Sequence, residues 1–193
     1  KGRLQLSAAH AVYSFEDLYT NFKIAFDKVK LPEENASVLV LGFGLGSIPQ
    51  LLEQSFQKQY QYTAVEIDES VLYLANKYSL SKIHSSIDLI CADARSFVEQ
   101  SQEQFDLICM DVFLDDVIPN TLMSNQFLES LKKNLTPDGI LLYNSLAYLP
   151  RDVQLSRKFF NDTFLPAFPN GTFIRAKGNW ILLNDEKYLG DRQ

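Results

Sequence analysis

A glycine-rich segment, Gly42-Phe43-Gly44-Leu45-Gly46, directly follows the apolar run 38–41. Glycine allows the backbone to approach a ligand closely and to turn sharply into a helix, whose first N–H groups favour negative charge. The spacing differs from the G-x-G-x-x-G pattern of dinucleotide-binding loops, because Ser47 and Pro49 follow the third glycine. The segment therefore predicts either a ligand-binding loop or a plain tight turn between a strand and a helix.

Three acidic side chains follow the next apolar runs and could bind parts of a nucleoside or an amine. Glu66 lies 20 residues after Gly46, where a carboxylate can accept both hydroxyls of a ribose, although a solvated carboxylate is the alternative. Asp93 could accept the exocyclic amine of adenine, with the small Ala94 leaving room for the ring, or it could cap the following helix. Asp111 could orient or deprotonate an amine, bind a cationic substrate, or cap a turn.

The surrounding pattern predicts the elements that position these residues. Short apolar runs, typical of strands buried on both faces, alternate with segments of helical periodicity. The predicted strands are 38–41, 62–67, 87–91, 105–110 and 140–145, and the predicted helices are 47–56, 70–78, 95–99, 124–135 and 151–164. An amphipathic helix over 15–29 comes first, a turn at 137–139 precedes the fifth strand, and Pro166 and Pro169 are expected to end the last helix.

Five strand–helix alternations predict an α/β domain with a doubly wound parallel sheet. Two further strands, 172–175 and 180–183, have a short connection and predict an antiparallel hairpin that closes the sheet. We expect one domain overall, with residues 1–36 as a lead-in segment and helix, and residues 37–193 as a Rossmann-like ligand-binding domain. Because ligands of open α/β sheets bind beyond the carboxyl ends of the strands, the glycine loop and the three acids are expected at one edge.

The composition restricts the class of protein further. The chain has 193 residues, a formal charge of −6 and a pI near 4.9, which argues against nucleic-acid binding and favours cationic partners such as amines. Cys91 and Cys109 lie in apolar runs and are expected to be buried core residues rather than disulfide partners or metal ligands. No apolar run reaches about 18 residues, and the first residues lack a signal-peptide pattern. We therefore expect a cytoplasmic protein with no membrane span and no bound metal.

Several motifs resemble those of the class I S-adenosylmethionine-dependent methyltransferase fold, and among its branches the sequence looks most similar to the spermidine synthase-like one. The motifs are the glycine loop, Glu66-Ile67-Asp68, Asp93-Ala94-Arg95-Ser96-Phe97-Val98, the run from Phe105 to Asp111, the segment from Leu135 to Leu141, and Gly2-x-x-Gln5-x-Ser7. The main resemblance covers residues 37–183. It implies a mostly parallel seven-stranded sheet of order 3-2-1-4-5-7-6, with an antiparallel last strand and helices on both faces.

The resemblance also implies roles for the matching residues. The cofactor would be S-adenosylmethionine or its decarboxylated form. The residues implied to bind it are Gln5, Gly42, Gly44, Gly46, Glu66, Ile67, Asp93, Ala94 and Asp111. Among these, Gln5 would touch the tail of the cofactor and Glu66 the ribose. Asp111 would also be the catalytic residue, acting as general base toward an amine.

Two segments depart from the aminopropyltransferases of this branch. Those enzymes usually carry Gly-Gly-Gly-Asp-Gly-Gly in the loop, where the Asp holds the amine of the aminopropyl group, and Leu45 stands at that position here. They usually show Ser-Asp-Pro after the strand-four Asp, where this chain has Val112-Phe113-Leu114-Asp115-Asp116. Their N-terminal β-hairpin domain is expected to be absent or truncated.

These departures favour a transferase that moves a methyl group to an unidentified small-molecule acceptor, of which an amine is one candidate. Aminopropyl transfer in polyamine synthesis is one alternative, and a diamine acceptor would suit Asp111, Asp115 and Asp116. A non-catalytic nucleoside-binding or scaffold protein is the other alternative. Association into a homodimer is left open.

Overall fold

A seven-stranded sheet forms the centre of the fold. The computed structural model describes residues 6–7, 12–13, 20–114 and 117–190. The strands of the sheet are β1 (Ser37–Leu41), β2 (Gln61–Glu66), β3 (Ile87–Cys91), β4 (Phe105–Met110), β5 (Leu135–Leu146), β6 (Thr172–Ala176) and β7 (Asn179–Leu183). Their order is β3-β2-β1-β4-β5-β7-β6, which confirms the predicted strand order and the doubly wound α/β class. Leu6–Ser7 and Val12–Tyr13 form a separate antiparallel pair.

The strand directions determine where the loops with candidate residues lie. Strands β1 to β5 pair in parallel, so their carboxyl ends share one edge of the sheet. Strands β6 and β7 are antiparallel to each other, and β7 is antiparallel to β5. The predicted closing hairpin is therefore confirmed, with Lys177 and Gly178 as its two-residue turn.

The helices begin and end close to the predicted positions in most cases. They are α1 (Thr20–Phe26), α2 (Ser47–Phe56), α3 (Glu69–Tyr78), α4 (Ala94–Gln100), α5 (Asn125–Lys133), α6 (Pro150–Phe159) and α7 (Leu165–Ala167), with short 3-10 turns at Leu80–Lys82, Asn120–Met123 and Glu186–Tyr188. The first helix was predicted over 15–29, and its residues 15–19 lie outside the described part. Its end at Phe26 is earlier than predicted, because Val29 instead forms an isolated bridge with Leu189.

The predicted turn at 137–139 is wrong, because these residues belong to an irregular stretch of β5. Leu135 pairs with Phe105 and Ile140 pairs with Leu107, so residues 136–139 bulge opposite a single residue of β4. The Asp106 carboxylate stabilises this irregularity. Its Oδ1 accepts from the Thr136 hydroxyl at 3.1 Å, and its Oδ2 accepts from the Ser37 backbone N–H at 2.9 Å.

The predicted end of the last long helix is also wrong. Helical structure continues from α6 through a π-helical segment, Phe160–Phe164, and then through α7 to Ala167. Pro166 does not end the helix; it directly follows the π-helical segment, where the regular α-helical hydrogen-bond pattern is already interrupted. The helix ends after Ala167, before Pro169.

Helices cover both faces of the sheet. On one face α1, α2 and α3 pack on Val38, Val40 and Leu107, and on the other α4, α5 and α6 pack on Leu39 and Ile108. Such double coverage explains why the central strands are apolar throughout rather than alternating. Among the described residues, no helix has the length and apolarity needed to cross a membrane.

The two cysteines differ in environment. Cys109 is fully buried in the core, as predicted. The prediction of burial is wrong for Cys91, which is exposed. Its strand, β3, is the edge strand of the sheet, and several of its residues are only partly covered.

Candidate functional site

The glycine loop joins β1 to α2 and lies directly against the end of β4. Gly42, Gly44 and Gly46 have φ angles of +81°, +55° and +81°, a conformation that residues with a side chain rarely adopt. A Cβ atom on Gly42 would lie 2.8 Å from the carbonyl carbon of Asp111 and would overlap its oxygen. Because Phe43 and Leu45 are buried, the outer surface of the loop consists mainly of backbone.

The Glu66 carboxylate ties the end of β2 to the glycine loop. Its Oε2 accepts a hydrogen bond from the Gly44 backbone N–H at 2.9 Å. Its Oε1 accepts from the backbone N–H groups of Ile67 at 3.0 Å and Asp68 at 3.2 Å. A carboxylate offers about four acceptor positions, so Oε2 retains room for one donor from outside the protein. This loop contact is a role that the sequence did not predict.

Asp93 caps helix α4 and stays exposed at the end of β3. Its Oδ1 accepts from both the backbone N–H of Ser96 at 2.8 Å and the Ser96 hydroxyl at 2.9 Å. The predicted capping role is therefore confirmed, and Oδ2 takes no part in it. Ala94 is buried, whereas the Ile67 side chain at the end of the neighbouring strand is 59% exposed. An exposed apolar side chain beside an exposed carboxylate can hold a flat ring that carries an amine.

Asp111 follows β4 and is half-buried beside the glycine loop. Its backbone N–H donates to the carbonyl oxygen of Leu41 at 2.8 Å, which continues the pairing of β1 with β4. Its Oδ1 accepts from the Asn144 Nδ2 group at 2.8 Å. Asn144 is 2% exposed and lies on β5, and sequence reasoning missed it. The available signal was an amide directly after the apolar run from Ile140 to Tyr143, within the predicted strand 140–145.

The structure brings most of the predicted residues to one edge and leaves a few undescribed. The glycine loop, Glu66, Ile67, Asp93, Ala94 and Asp111 all follow the carboxyl ends of parallel strands. Gln5 lies outside the described residues, and so do Asp115 and Asp116. Leu114 and Val117 exchange two backbone hydrogen bonds, of 2.9 and 3.0 Å.

Exposed apolar side chains follow β4 and β5 at the same edge. Leu114, Val117 and Tyr148 are 61%, 59% and 79% exposed. Tyr148 packs near Gly178 of the β6–β7 turn, at 3.2 Å from where a Cβ atom of that glycine would lie. Tyr143 on β5, by contrast, is fully buried in the core, and its hydroxyl donates to the Leu122 carbonyl oxygen.

Among the predicted site residues at this edge, the charged side chains are the carboxylates Glu66, Asp93 and Asp111. Across residues 20–114 and 117–190, no group of three or more His, Cys, Asp or Glu side chains is arranged to hold an ion. Burial, with a smaller contribution from the Asp111 charge, raises the pKa of the Cys109 thiol well above its usual value. This thiol is therefore neutral. The edge can accept hydrogen bonds from hydroxyls and amines and can attract a cationic group.

Comparison with known proteins identifies relatives of this chain. The family model "Spermine/spermidine synthase domain" matches residues 20–164. A "Polyamine aminopropyltransferase" from Vibrio vulnificus is 28% identical over 113 residues, which are 57% of this chain and 38% of that protein. An "eEF1A lysine and N-terminal methyltransferase" from Bos taurus is 30% identical over 125 residues, which are 59% of this chain and 18% of that protein. The chain thus spans well under half the length of these relatives.

A solved structure agrees with the sequence relatives. The human methyltransferase-like protein 13, in complex with SAH, superposes with a TM-score of 0.66 at 26% identity. The superposition covers 81% of this chain and 75% of that one. This methyltransferase therefore shares the fold described here.

Proposed function

Because the chain belongs to the spermine/spermidine synthase domain family, we propose that it binds S-adenosylmethionine at the carboxyl edge of its sheet and transfers the methyl group to an amine. The observation that carries the choice of methyl transfer is Leu45, which is buried where the aminopropyltransferases that this sequence resembles place an Asp. A buried leucine cannot hold the cationic end of an aminopropyl group. The bovine and human relatives, both methyltransferases, support the same choice.

The residues at this edge fit an adenosyl cofactor. Oε2 of Glu66 has room for a ribose hydroxyl, and Oδ2 of Asp93 is available for the exocyclic amine of adenine. The ring would lie against Ile67, and the backbone of the Gly42–Gly46 segment would line the methionine portion. When bound, the cofactor supplies a methyl group already activated by the sulfonium, so positioning of the acceptor contributes most of the rate.

Asp111 would orient the acceptor and receive its proton. An amine that donates a hydrogen bond to this carboxylate has its lone pair directed away from the carboxylate and free to attack, and the glycine loop lies beside Asp111. Transfer makes the nitrogen a positively charged alkylammonium, and Asp111 would accept one of the protons that this nitrogen already carried. Asp111 would thus serve as general base, the role implied by the family resemblance.

The exposed apolar side chains support a polypeptide as the bearer of the amine. Leu114, Val117 and Tyr148 follow the two strands next to the glycine loop and offer contact area that a free diamine would not use. The name of the bovine relative includes lysine and N-terminal methylation of a protein. We infer an amino group on a peptide or protein as the acceptor class.

Aminopropyl transfer is the second candidate, favoured by the relative from Vibrio vulnificus. Calorimetric titration of the full chain with S-adenosylmethionine and, separately, with its decarboxylated form distinguishes the two. Tighter binding of the carboxylated form is expected. Tighter binding of the decarboxylated form would favour aminopropyl transfer, and binding of neither would indicate a non-catalytic protein.

Turnover can be followed as release of S-adenosylhomocysteine with a panel of short peptides that carry free amines, and with putrescine for comparison. We expect Asp111→Asn to reduce release by at least about 100-fold, the usual contribution of a general base, with cofactor affinity changed less than about twofold. Asp88→Asn removes the same charge from an exposed position on β3 and serves as the control. Unchanged release by Asp111→Asn would contradict the role proposed for this residue.

A further inference from the structure

Three asparagine side chains connect Asp111 to helix α1 through one continuous series of hydrogen bonds. Asn144 Nδ2 donates to Asp111 Oδ1 at 2.8 Å, and Asn179 Nδ2 donates to Asn144 Oδ1 at 2.8 Å. Asn21 Nδ2 in turn donates to Asn179 Oδ1 at 2.9 Å. The series crosses from β4 to β5, then to the first residue of β7, and ends on α1. We call these three residues the asparagine chain.

The asparagine chain is buried where most of the neighbouring side chains are apolar. Asn144 and Asn179 are 2% and 8% exposed, and both lie in strands whose other residues are largely hydrophobic. A buried amide without partners is costly, by about 1–3 kcal/mol for each unsatisfied group. An apolar side chain at either position would avoid this cost. Retaining two buried amides in series is therefore a feature that stability alone does not require.

The direction of the hydrogen bonds gives the asparagine chain a polarity. Each amide donates through its NH₂ group in the direction of Asp111, and the oxygens of Asn144 and Asn179 accept from the next amide in the series. If Asn144 turned its amide over, it would present an oxygen to the carboxylate. Asn179 opposes such a turn because its NH₂ group already occupies the Asn144 oxygen, and Asn21 orients Asn179 in the same way. Hydrogen bonds in such a series also polarise and strengthen one another.

We propose that Asn144, Asn179 and Asn21 are positioning residues. They hold the Asp111 carboxylate in one orientation and make its protonation depend on how α1 packs against the sheet. Asn144 acts directly on Asp111, and Asn179 and Asn21 act through Asn144. This inference rests on the role proposed for Asp111 in the transfer reaction. The hydrogen bonds themselves predict properties of Asp111 that can be measured without any cofactor or acceptor.

Other titratable groups near the asparagine chain do not duplicate its effect. Cys109, on the same face of β4, is fully buried and neutral. The Tyr143 hydroxyl on β5 donates to the Leu122 carbonyl oxygen on the opposite face of the sheet. Lys23 on α1 and Asp27 directly after that helix pair with each other at 3.0 Å on the surface.

The test is a titration of the Asp111 carboxyl carbon by ¹³C NMR in the full chain, with the signal assigned from its loss in Asp111→Asn. A hydrogen bond to the ionised form lowers the pKa of a carboxyl group, so losing the Asn144 donor should raise the titration midpoint. We expect a rise of about one pH unit in Asn144→Ala. Asn179→Ala should give a smaller rise in the same direction, and Asn21→Ala a smaller one still.

Asn134→Ala is the matched control. Asn134 is also 2% exposed, and its Nδ2 donates to the carbonyl oxygens of Ser101 and Glu103 at the opposite edge of the sheet. This variant should lower the melting temperature but leave the Asp111 midpoint unchanged. An unchanged midpoint in Asn179→Ala, or an equal rise in Asn134→Ala, would overturn the proposal.

Asn179→Asp keeps the side-chain shape and tests the polarity if the alanine variant fails to fold. The introduced carboxylate cannot donate to Asn144. Either the new carboxyl keeps its proton, or Asn144 turns over and Asp111 loses the Asn144 donor. In the first case the introduced carboxyl titrates above its ordinary range, and in the second the Asp111 midpoint rises above its wild-type value. An ordinary midpoint for the introduced carboxyl together with an unchanged Asp111 midpoint would overturn the proposal. Failure of the wild type to bind S-adenosylmethionine would instead refute the proposed function and leave this titration interpretable.

Discussion

The change Glu66→Gln is a sensitive test of the site, because this side chain serves both the glycine loop and the proposed cofactor. The carboxylate accepts three backbone hydrogen bonds, from Gly44, Ile67 and Asp68. Glutamine has the same shape but only one acceptor oxygen. If that oxygen keeps its contacts with Ile67 and Asp68, the new NH₂ group faces the Gly44 N–H, and the hydrogen bond to the loop is lost.

The expected loss of cofactor affinity follows from these contacts. A hydrogen bond to a charged group contributes about 1.5–3 kcal/mol, and Oε2 has room for one from a ribose hydroxyl. Removing the charge should therefore weaken binding of S-adenosylhomocysteine by a factor of about 10 to 150 at 25 °C. The freed Gly44 N–H also becomes less well positioned, which acts in the same direction.

Isothermal titration calorimetry of the wild type and Glu66→Gln with S-adenosylhomocysteine measures this factor. Glu69→Gln is the control, because it makes the same chemical change on an exposed residue in the first turn of α3. A thermal melt without ligand separates loss of folding from loss of binding. Affinities of Glu66→Gln and wild type within a factor of two, with both proteins folded, would refute the reasoning about this carboxylate.

Three further predictions concern the loop, a helix cap and a distant hydrogen-bonded carboxylate. Gly42→Ala should lower the free energy of unfolding in urea by about 2–4 kcal/mol, because the new Cβ overlaps Asp111 and the backbone is left-handed there. Gly190→Ala is the control and should change it little, because the nearest atom to a Cβ at that position is 3.6 Å away. Asp93→Ala should lower stability by about 1 kcal/mol through loss of the α4 cap and should also weaken cofactor binding; unaltered affinity would remove its proposed contact with adenine. Burial raises the pKa of Glu53, but hydrogen bonds from Ser85 and His84 outweigh it and hold that pKa below its usual value. Glu53→Gln should therefore cost about 1–3 kcal/mol at neutral pH, and the difference from wild type should shrink as the pH falls below 4.5 and the Glu53 carboxylate becomes protonated. A constant difference between pH 3 and pH 7 would contradict the assignment of Glu53 as a stabilising carboxylate.

Local patterns in the sequence were sufficient for the order of elements and for the place of several candidate residues at one edge of the sheet. The glycine loop, Glu66 and Asp93 each follow an apolar run, and in a parallel sheet the carboxyl ends of such runs must share an edge. The bounds of α2, β3 and β4 were predicted to the residue. The strand order was implied by the resemblance to a known fold and is confirmed by the strand pairing.

The errors arose where a residue's environment is set by distant neighbours. Cys91 reads as a core residue in its apolar run, but it is exposed because β3 lies at the edge of the sheet. The segment 137–139 has the composition of a turn, yet the pairing of Leu135 and Ile140 with β4 on either side, and the Asp106 contact with Thr136, make it a bulge within β5. Pro166 was expected to end a helix, but the helix continues through it after the π-helical segment.

By itself the sequence determined the alternation of strands and helices, the tight glycine loop and the presence of acids at strand ends, since these depend on residues close together in the chain. The partners of those acids were decided by the tertiary structure. Asn21 and Asn179 are 158 positions apart, and no local pattern relates them. They meet because β7 pairs antiparallel with β5 and α1 packs against β6 and β7. In that arrangement the buried amides next to Asp111 can satisfy their hydrogen bonds through one another.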